Sequence, residues 1–150
     1  MDTETRARIL AEARSWEYTP FHHKGRIKGV GCDCGGFIYE VYSKALNLKL
    51  DPFPAHYAED WAVHQENEIY LSFLKPYVEE IKDPKPADLV MWQFGRNFSH
   101  GTIVTEKGQF IHAWGRTGNG CVQISNMSFF QARHKGPRPF KAFTVSPIWL

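Results

Sequence analysis

Residues 29–37 read GVGCDCGGF, two cysteines one residue apart among four glycines and directly before an apolar run. That run has helical spacing, with Ile38, Val41, Tyr42 and Ala45 on one stripe and Phe37 beside it. Counting back four residues from Ile38 and seven from Val41 gives Cys34 both times. Cys34 therefore opens a helix on its packed face, while Cys32 is still in the preceding loop. The stretch is open to three readings: a metal clamp, a redox pair, or one reactive thiol with a bystander.

Upstream, Asp2 or Thr3 caps a first helix whose apolar stripe is Ile9, Leu10, Ala13 and Trp16. Residues 17–33 carry Pro20, Gly25, Gly29 and Gly31 and read as a long loop. Residues 51–86 hold five of the nine prolines, with short helices expected over His56–His64 and Glu68–Leu74. After Pro86 the period changes. ADLVMWQF, HGTIVTE, QFIHAW, CVQIS and PFKAFTV are short, alternating and separated by turn signals, which predicts an antiparallel meander. Helices first and strands later give an α+β fold, with the Cys34 helix packed on a C-terminal antiparallel sheet. At 150 residues the expectation is one domain, 1–150.

Composition narrows the function. Hydrophobic residues make up 43% of the chain, enough for a core, and the net charge is only +2. That charge, without a long basic run, argues against a nucleic-acid partner, although a mildly basic enzyme suits an anionic polymer such as a cell wall. No segment approaches the ~20 apolar residues of a membrane helix, so no membrane partner is expected. The opening MDTETRARILAEARSWEY has no apolar h-region, and three cysteines make no disulfide framework. The expectation is a chain made in a cytoplasm with reduced thiols and no cofactor.

Of the seven histidines, His100 and His112 fall on adjacent predicted strands joined by Glu106-Lys107-Gly108. A three-residue hairpin loop with glycine in the left-handed position pairs Thr105 with Gln109. Thr102 then faces His112 and Trp114 faces His100, which puts the two histidines on one sheet face as diagonal neighbours. A two-residue loop would put them on opposite faces. A thiol at a helix N-terminus with two such histidines is a nucleophile–base–orienter set. The helix terminus is expected to lower the thiol pKa, and the Cys34 amide to serve an oxyanion. Gly35 and Gly36 are expected to leave room for a peptide.

These residues resemble the NlpC/P60 family of papain-like cysteine peptidases. The family's Asp-Cys-Ser-Gly at a helix start appears as Asp33-Cys34-Gly35-Gly36, and its strand-opening histidine as Ser99-His100-Gly101-Thr102-Ile103-Val104 after Pro86-Ala87-Asp88-Leu89-Val90. Its third polar residue matches His112 in Phe110-Ile111-His112-Ala113-Trp114. The resemblance spans roughly residues 5–145. It implies a peptidase of bacterial peptidoglycan stem peptides, cutting between D-glutamate and a diamino acid, with Cys34, His100 and His112 catalytic. It further implies that Asp33 helps bind a substrate amine. Gly35 replaces the family's serine contact to the stem, and Phe21 replaces a tyrosine whose hydroxyl Tyr18 can substitute. Thr19-Pro20-Phe21-His22-His23 with Gly25-Arg26 and Lys28-Gly29 looks like the short phage-tail and prophage branch, which implies a virion location and tail tip or hub partners.

The other readings are a non-catalytic tail or assembly subunit, an amidase or acyltransferase with the same Cys-His-His set, and a zinc module on Cys32, Cys34, His100 and His112. Cys-Asp-Cys is spaced too tightly for the usual zinc pair. Cys32 reads as a bystander and Cys121 as packing. His22-His23 and the Arg133, His134, Lys135, Arg138 cluster read as solvated.

Overall fold

The computed structural model describes residues 1–52, 68–115 and 119–150; the helix expected over His56–His64 lies outside them. Helix α1, Thr3–Arg14, starts where Asp2 accepts a hydrogen bond from the Thr5 amide at 2.8 Å. It buries Ile9, Leu10 and Ala13 against helix α2, Cys34–Leu46, and Trp16 meets Phe37 edge to face at 6.0 Å. Asp33 is the α2 N-cap, its Oδ1 accepting from the Gly36 amide at 2.7 Å. Asn47 ends the helix in the left-handed region. Helix α3, Ile69–Leu74, follows Glu68 and matches the second short helix expected.

The loop before α2 is more ordered than its composition suggests. Strand β1, Arg26–Ile27, pairs with β2, Gly31–Cys32, in a ribbon whose turn uses Gly29 at φ 76°. Phe21 bridges Cys32, and Pro20 bridges Cys121. Two-residue pairings are too short to leave an alternating pattern, which is why the sequence shows only a loop.

The main sheet comprises β3 (Val78–Ile81), β4 (Leu89–Phe94), β5 (Asn97–Val104), β6 (Phe110–Ala113), β7 (Val122–Ser125) and β8 (Phe140–Val145). Its order is β3-β8-β4-β5-β6-β7, antiparallel throughout. The expected meander holds from β4 to β7, but β8 does not extend it. After β7 the short helix α4, Met127–Gln131, turns the chain back, and β8 pairs with β4 and β3. Alternation identifies a strand and its buried side, whereas its neighbour is chosen by packing. Here Phe130 of α4 stacks on Trp92 of β4 at 4.6 Å, making a second small core with Val90, Val104, Phe110 and Ala142. The sheet is thus covered on both faces.

Helix α2 covers the first face, over Leu89, Met91, Ile103 and Ile111. Gly101 of β5 allows that approach, since a Cβ there would sit 3.1 Å from Ile38 and 3.2 Å from the Met91 sulfur. Between β4 and β5, Trp92 pairs with His100 but Gln93 pairs with Phe98, so Ser99 is an extra residue in a bulge. Bulges bend a strand and re-aim the side chains next to them.

Gly36 is filled by structure rather than by clearance. A Cβ at this position would collide with the Gly25 carbonyl and lie 2.8 Å from Arg26 Cγ, so the missing side chain seats the preceding loop. Gly36→Ala is expected to cost about 2–3 kcal/mol in urea unfolding.

Candidate active site

Three elements meet around Cys34: the first turn of α2, the bulged start of β5 and helix α3. The Cys34 sulfur is hydrogen-bonded with the Tyr70 hydroxyl at 3.2 Å and to the Ser99 carbonyl at 3.6 Å. Ser99 immediately precedes His100, so the thiol rests one residue from that histidine. Tyr70 is 3% exposed and comes from α3. The anchor for α3 is the Glu68 carboxylate, which accepts from the Phe98 amide at 3.1 Å, at the start of β5.

His100 and His112 are brought together as the hairpin register requires. Ile103 pairs with Ile111 and Val104 with Phe110, the Thr105 amide donates to the Gln109 carbonyl at 2.8 Å, and Gly108 takes φ 68°. His100 Nε2 and His112 Nδ1 are 2.8 Å apart. His112 Nε2 lies 2.9 Å from Ser125 Oγ, to which the Gln123 side-chain amide donates at 3.0 Å. The cross-strand pair His112–Gln123 of β6 and β7 makes that extension possible. Phe94, Trp114, Phe129 and Phe130 wall the imidazoles. Both rings lie on the sheet face opposite α2, with Thr102, whose hydroxyl accepts from the Trp92 indole at 3.2 Å. The thiol meets β5 at the Ser99 bulge, one residue before His100. A regular strand reading does not anticipate this, because an unpaired residue leaves no pattern.

The local electrostatics depart from one expectation. Burial, and then the neighbouring Asp33 carboxylate, push the Cys34 thiol up to about 11, outweighing the hydrogen bonds from Tyr70 and the Gly101 and Gly35 amides. The helix terminus therefore does not yield a lowered thiol. Cys32 is fully buried and pushed up to about 12, which makes it the less reactive of the pair. Burial brings His112 down to about 3, so it is neutral across the physiological range.

The other singled-out residues are placed as follows. Asp33 is 4% exposed, its Oδ1 taken by the Gly36 amide and its Oδ2 by the Lys24 amide at 2.8 Å. Gly35 lines an apolar cleft with Ile38, Tyr39, Tyr70 and Phe73. Tyr18 is 80% exposed at φ 67°, and the hydroxyl against Cys34 belongs to Tyr70 instead. Phe21 packs where a Cβ on Gly115 would go. Sequence reasoning missed Tyr70, Ser125 and Gln123. For Ser125 and Gln123 the signal was present, as alternate positions facing His112 across β7. Among the described residues no group of three or more His, Cys, Asp or Glu side chains is arranged to hold a metal ion, and no helix is long and apolar enough to cross a membrane.

Comparison with known proteins adds a family. The model of the NlpC/P60 family matches residues 18–138. The chain is 24% identical over 139 residues to the gamma-DL-glutamyl hydrolase of Bacillus subtilis (strain 168), which covers 91% of this chain and 30% of that protein. The chain thus spans under a third of that relative's length. The crystal structure of the NlpC/p60 domain of the peptidoglycan hydrolase SagA is similar with a TM-score of 0.58 at 22% identity, covering 94% of this chain and 97% of that one. A Staphylococcus aureus subsp. aureus Mu50 protein, described as similar to a lipoprotein of the NLP/P60 family, gives 0.61 at 22% identity, covering 92% and 42%. Both structures share the α+β fold.

The buried neutral His112 has a consequence for stability. Its folded pKa lies below the unfolded value near 6.5, so the unfolded state binds the extra proton and stability falls as pH drops from about 6.5 towards about 3. Between about pH 7 and pH 4 this contributes about 3 kcal/mol of the acid destabilisation. His112→Gln is expected to remove that share, as measured by urea unfolding at both pH values.

Proposed function

The chain belongs to the NlpC/P60 family, and on that premise we propose that it is a cysteine peptidase of bacterial peptidoglycan, cutting stem peptides on the carbonyl side of D-glutamate before a diamino acid. The observation that carries the reading is a single thiol at the start of a helix, lodged on the strand residue next to a buried, hydrogen-bonded histidine pair. The names of the relatives, a gamma-DL-glutamyl hydrolase and a peptidoglycan hydrolase, support the substrate class.

In this reading His100 uses Nε2 to donate to His112 Nδ1, leaving Nδ1 of His100 to take the thiol proton. His112, neutral, carries its own proton on Nε2 towards Ser125. The thiol rests on the Ser99 carbonyl, and the handover moves its proton past one residue of backbone; such contacts commonly tighten only when substrate is bound. The thiolate then attacks the scissile carbonyl. A C–S bond forms and the carbonyl π pair moves to oxygen, where the Cys34 amide is a donor. Collapse breaks the C–N bond, and the imidazolium returns the proton to the leaving amine. Water, deprotonated by His100, hydrolyses the thioester and regenerates the thiol. With the thiol raised to about 11, this mechanism assigns its deprotonation to His100.

The finer reading, a component of a phage tail that opens the wall locally, is supported by the resemblance of residues 19–29 to that branch. Its check is the detection of this chain by mass spectrometry in purified virions.

Mass spectrometry of muropeptides tests the activity itself. Wild-type protein is expected to release stems cut after D-glutamate. Cys34→Ala and His100→Ala are expected to lose at least about a thousandfold in rate, and His112→Ala about ten- to a hundredfold. Full cleavage by Cys34→Ala overturns the reading.

A further inference from the structure

Tyr70 is the one side chain bonded to the Cys34 sulfur among the described residues, and the direction of that bond can be worked out. A thiol has one proton. The Ser99 carbonyl at 3.6 Å can only accept, so the bond to it uses that proton. Towards Tyr70 the sulfur is therefore the acceptor, and the hydroxyl donates across 3.2 Å. The donor does not have to turn when Cys34 ionises, because it already faces the atom on which negative charge develops.

The fold invests in this placement. Tyr70 is buried on a six-residue helix, and Glu68, the residue before that helix, binds the Phe98 amide of β5. The anchor and the hydroxyl thus span the same bulge that carries Ser99 and His100. A buried hydroxyl costs free energy unless it is hydrogen-bonded, and phenylalanine would fill the same apolar surroundings without that cost. The thiol has the opposite problem. It is half-buried, next to the Asp33 carboxylate, and its ionised form needs donors; the other two are backbone amides.

We propose that Tyr70 is a catalytic residue of this site, whose hydroxyl holds the Cys34 sulfur as acceptor and stabilises the thiolate once its proton has passed to His100. The inference rests on the reading of Cys34 as the nucleophile. It also accounts for how the chain works with Phe21 in place of a tyrosine and with Tyr18 turned to solvent: the hydroxyl arrives from α3.

The test is peptide-resolved labelling of Cys34 by iodoacetamide across pH, which needs no peptidoglycan substrate. Tyr70→Phe is expected to move the labelling midpoint upward and to slow labelling about tenfold near pH 8. With 3-fluorotyrosine at position 70, a stronger donor of nearly the same shape, the midpoint is expected to move downward. Thermal melts establish that each protein is folded, and if Tyr70→Phe is not, the fluorotyrosine protein decides. On muropeptides, Tyr70→Phe is expected to lower kcat about ten- to a hundredfold with little change in KM. A Tyr70→Phe labelling profile that superimposes on wild type, or a fluorotyrosine profile that does not move, overturns the proposal. Absence of cleavage by wild-type protein overturns the peptidase reading instead, and leaves labelling to decide Tyr70's hold on the thiol.

Discussion

The Asp33 carboxylate is the constraint on which the site depends. One oxygen caps α2 through the Gly36 amide, and the other ties down the loop through the Lys24 amide. A buried carboxylate is tolerated only where such donors meet it. Because it satisfies the first turn of α2, the helix begins at Cys34 and the thiol faces β5. Because it also holds residue 24, the Gly25 carbonyl lies over Gly36, and the β1–β2 ribbon is seated against the helix. Burial, and after it this same carboxylate, raise the thiol pKa, so the clamp that positions Cys34 also opposes its ionisation.

That opposition organises the remainder of the site. A thiol pushed up to about 11 is little ionised near neutrality. The proposed mechanism gives it an acceptor for its proton and donors for its charge. The acceptor reading falls to His100, whose ring is held through His112 by a chain that ends at Ser125 and Gln123. His112 stays uncharged because it is buried among aromatic rings. The donors are the Gly35 and Gly101 amides and Tyr70. The histidines are buried on the face that α4 covers with Phe129 and Phe130, while the half-buried thiol lies at the start of α2 on the other face.

The histidine pair was legible because a hairpin with a three-residue loop has one register, and Gly108 marks that loop. The start of α2 was legible because an N-cap aspartate, a glycine pair and a 3.6-residue stripe coincide. The placement of β8 was not, since alternation encodes the buried side of a strand but not its neighbour. Nor was the bulge at Ser99, whose carbonyl meets the thiol. Gly36 carried a signal that was misread: a small residue beside a nucleophile suggests room for substrate, yet its space is taken by the chain's own backbone. Tyr70 had no local signal at all. It lies 36 residues from Cys34, in a short helix whose only link to the site is three-dimensional.

By itself, then, the sequence determined the helix that carries Cys34, the strands that carry His100 and His112, and the α+β class, because caps, turns and periodicity are local properties of neighbouring residues. Only the tertiary structure decided the return of β8, the bulge whose Ser99 carbonyl meets the thiol, the raised thiol pKa and the arrival of Tyr70. Those features depend on burial and on contacts between distant segments. Desolvation acts on a group only once the surrounding chain has removed it from water.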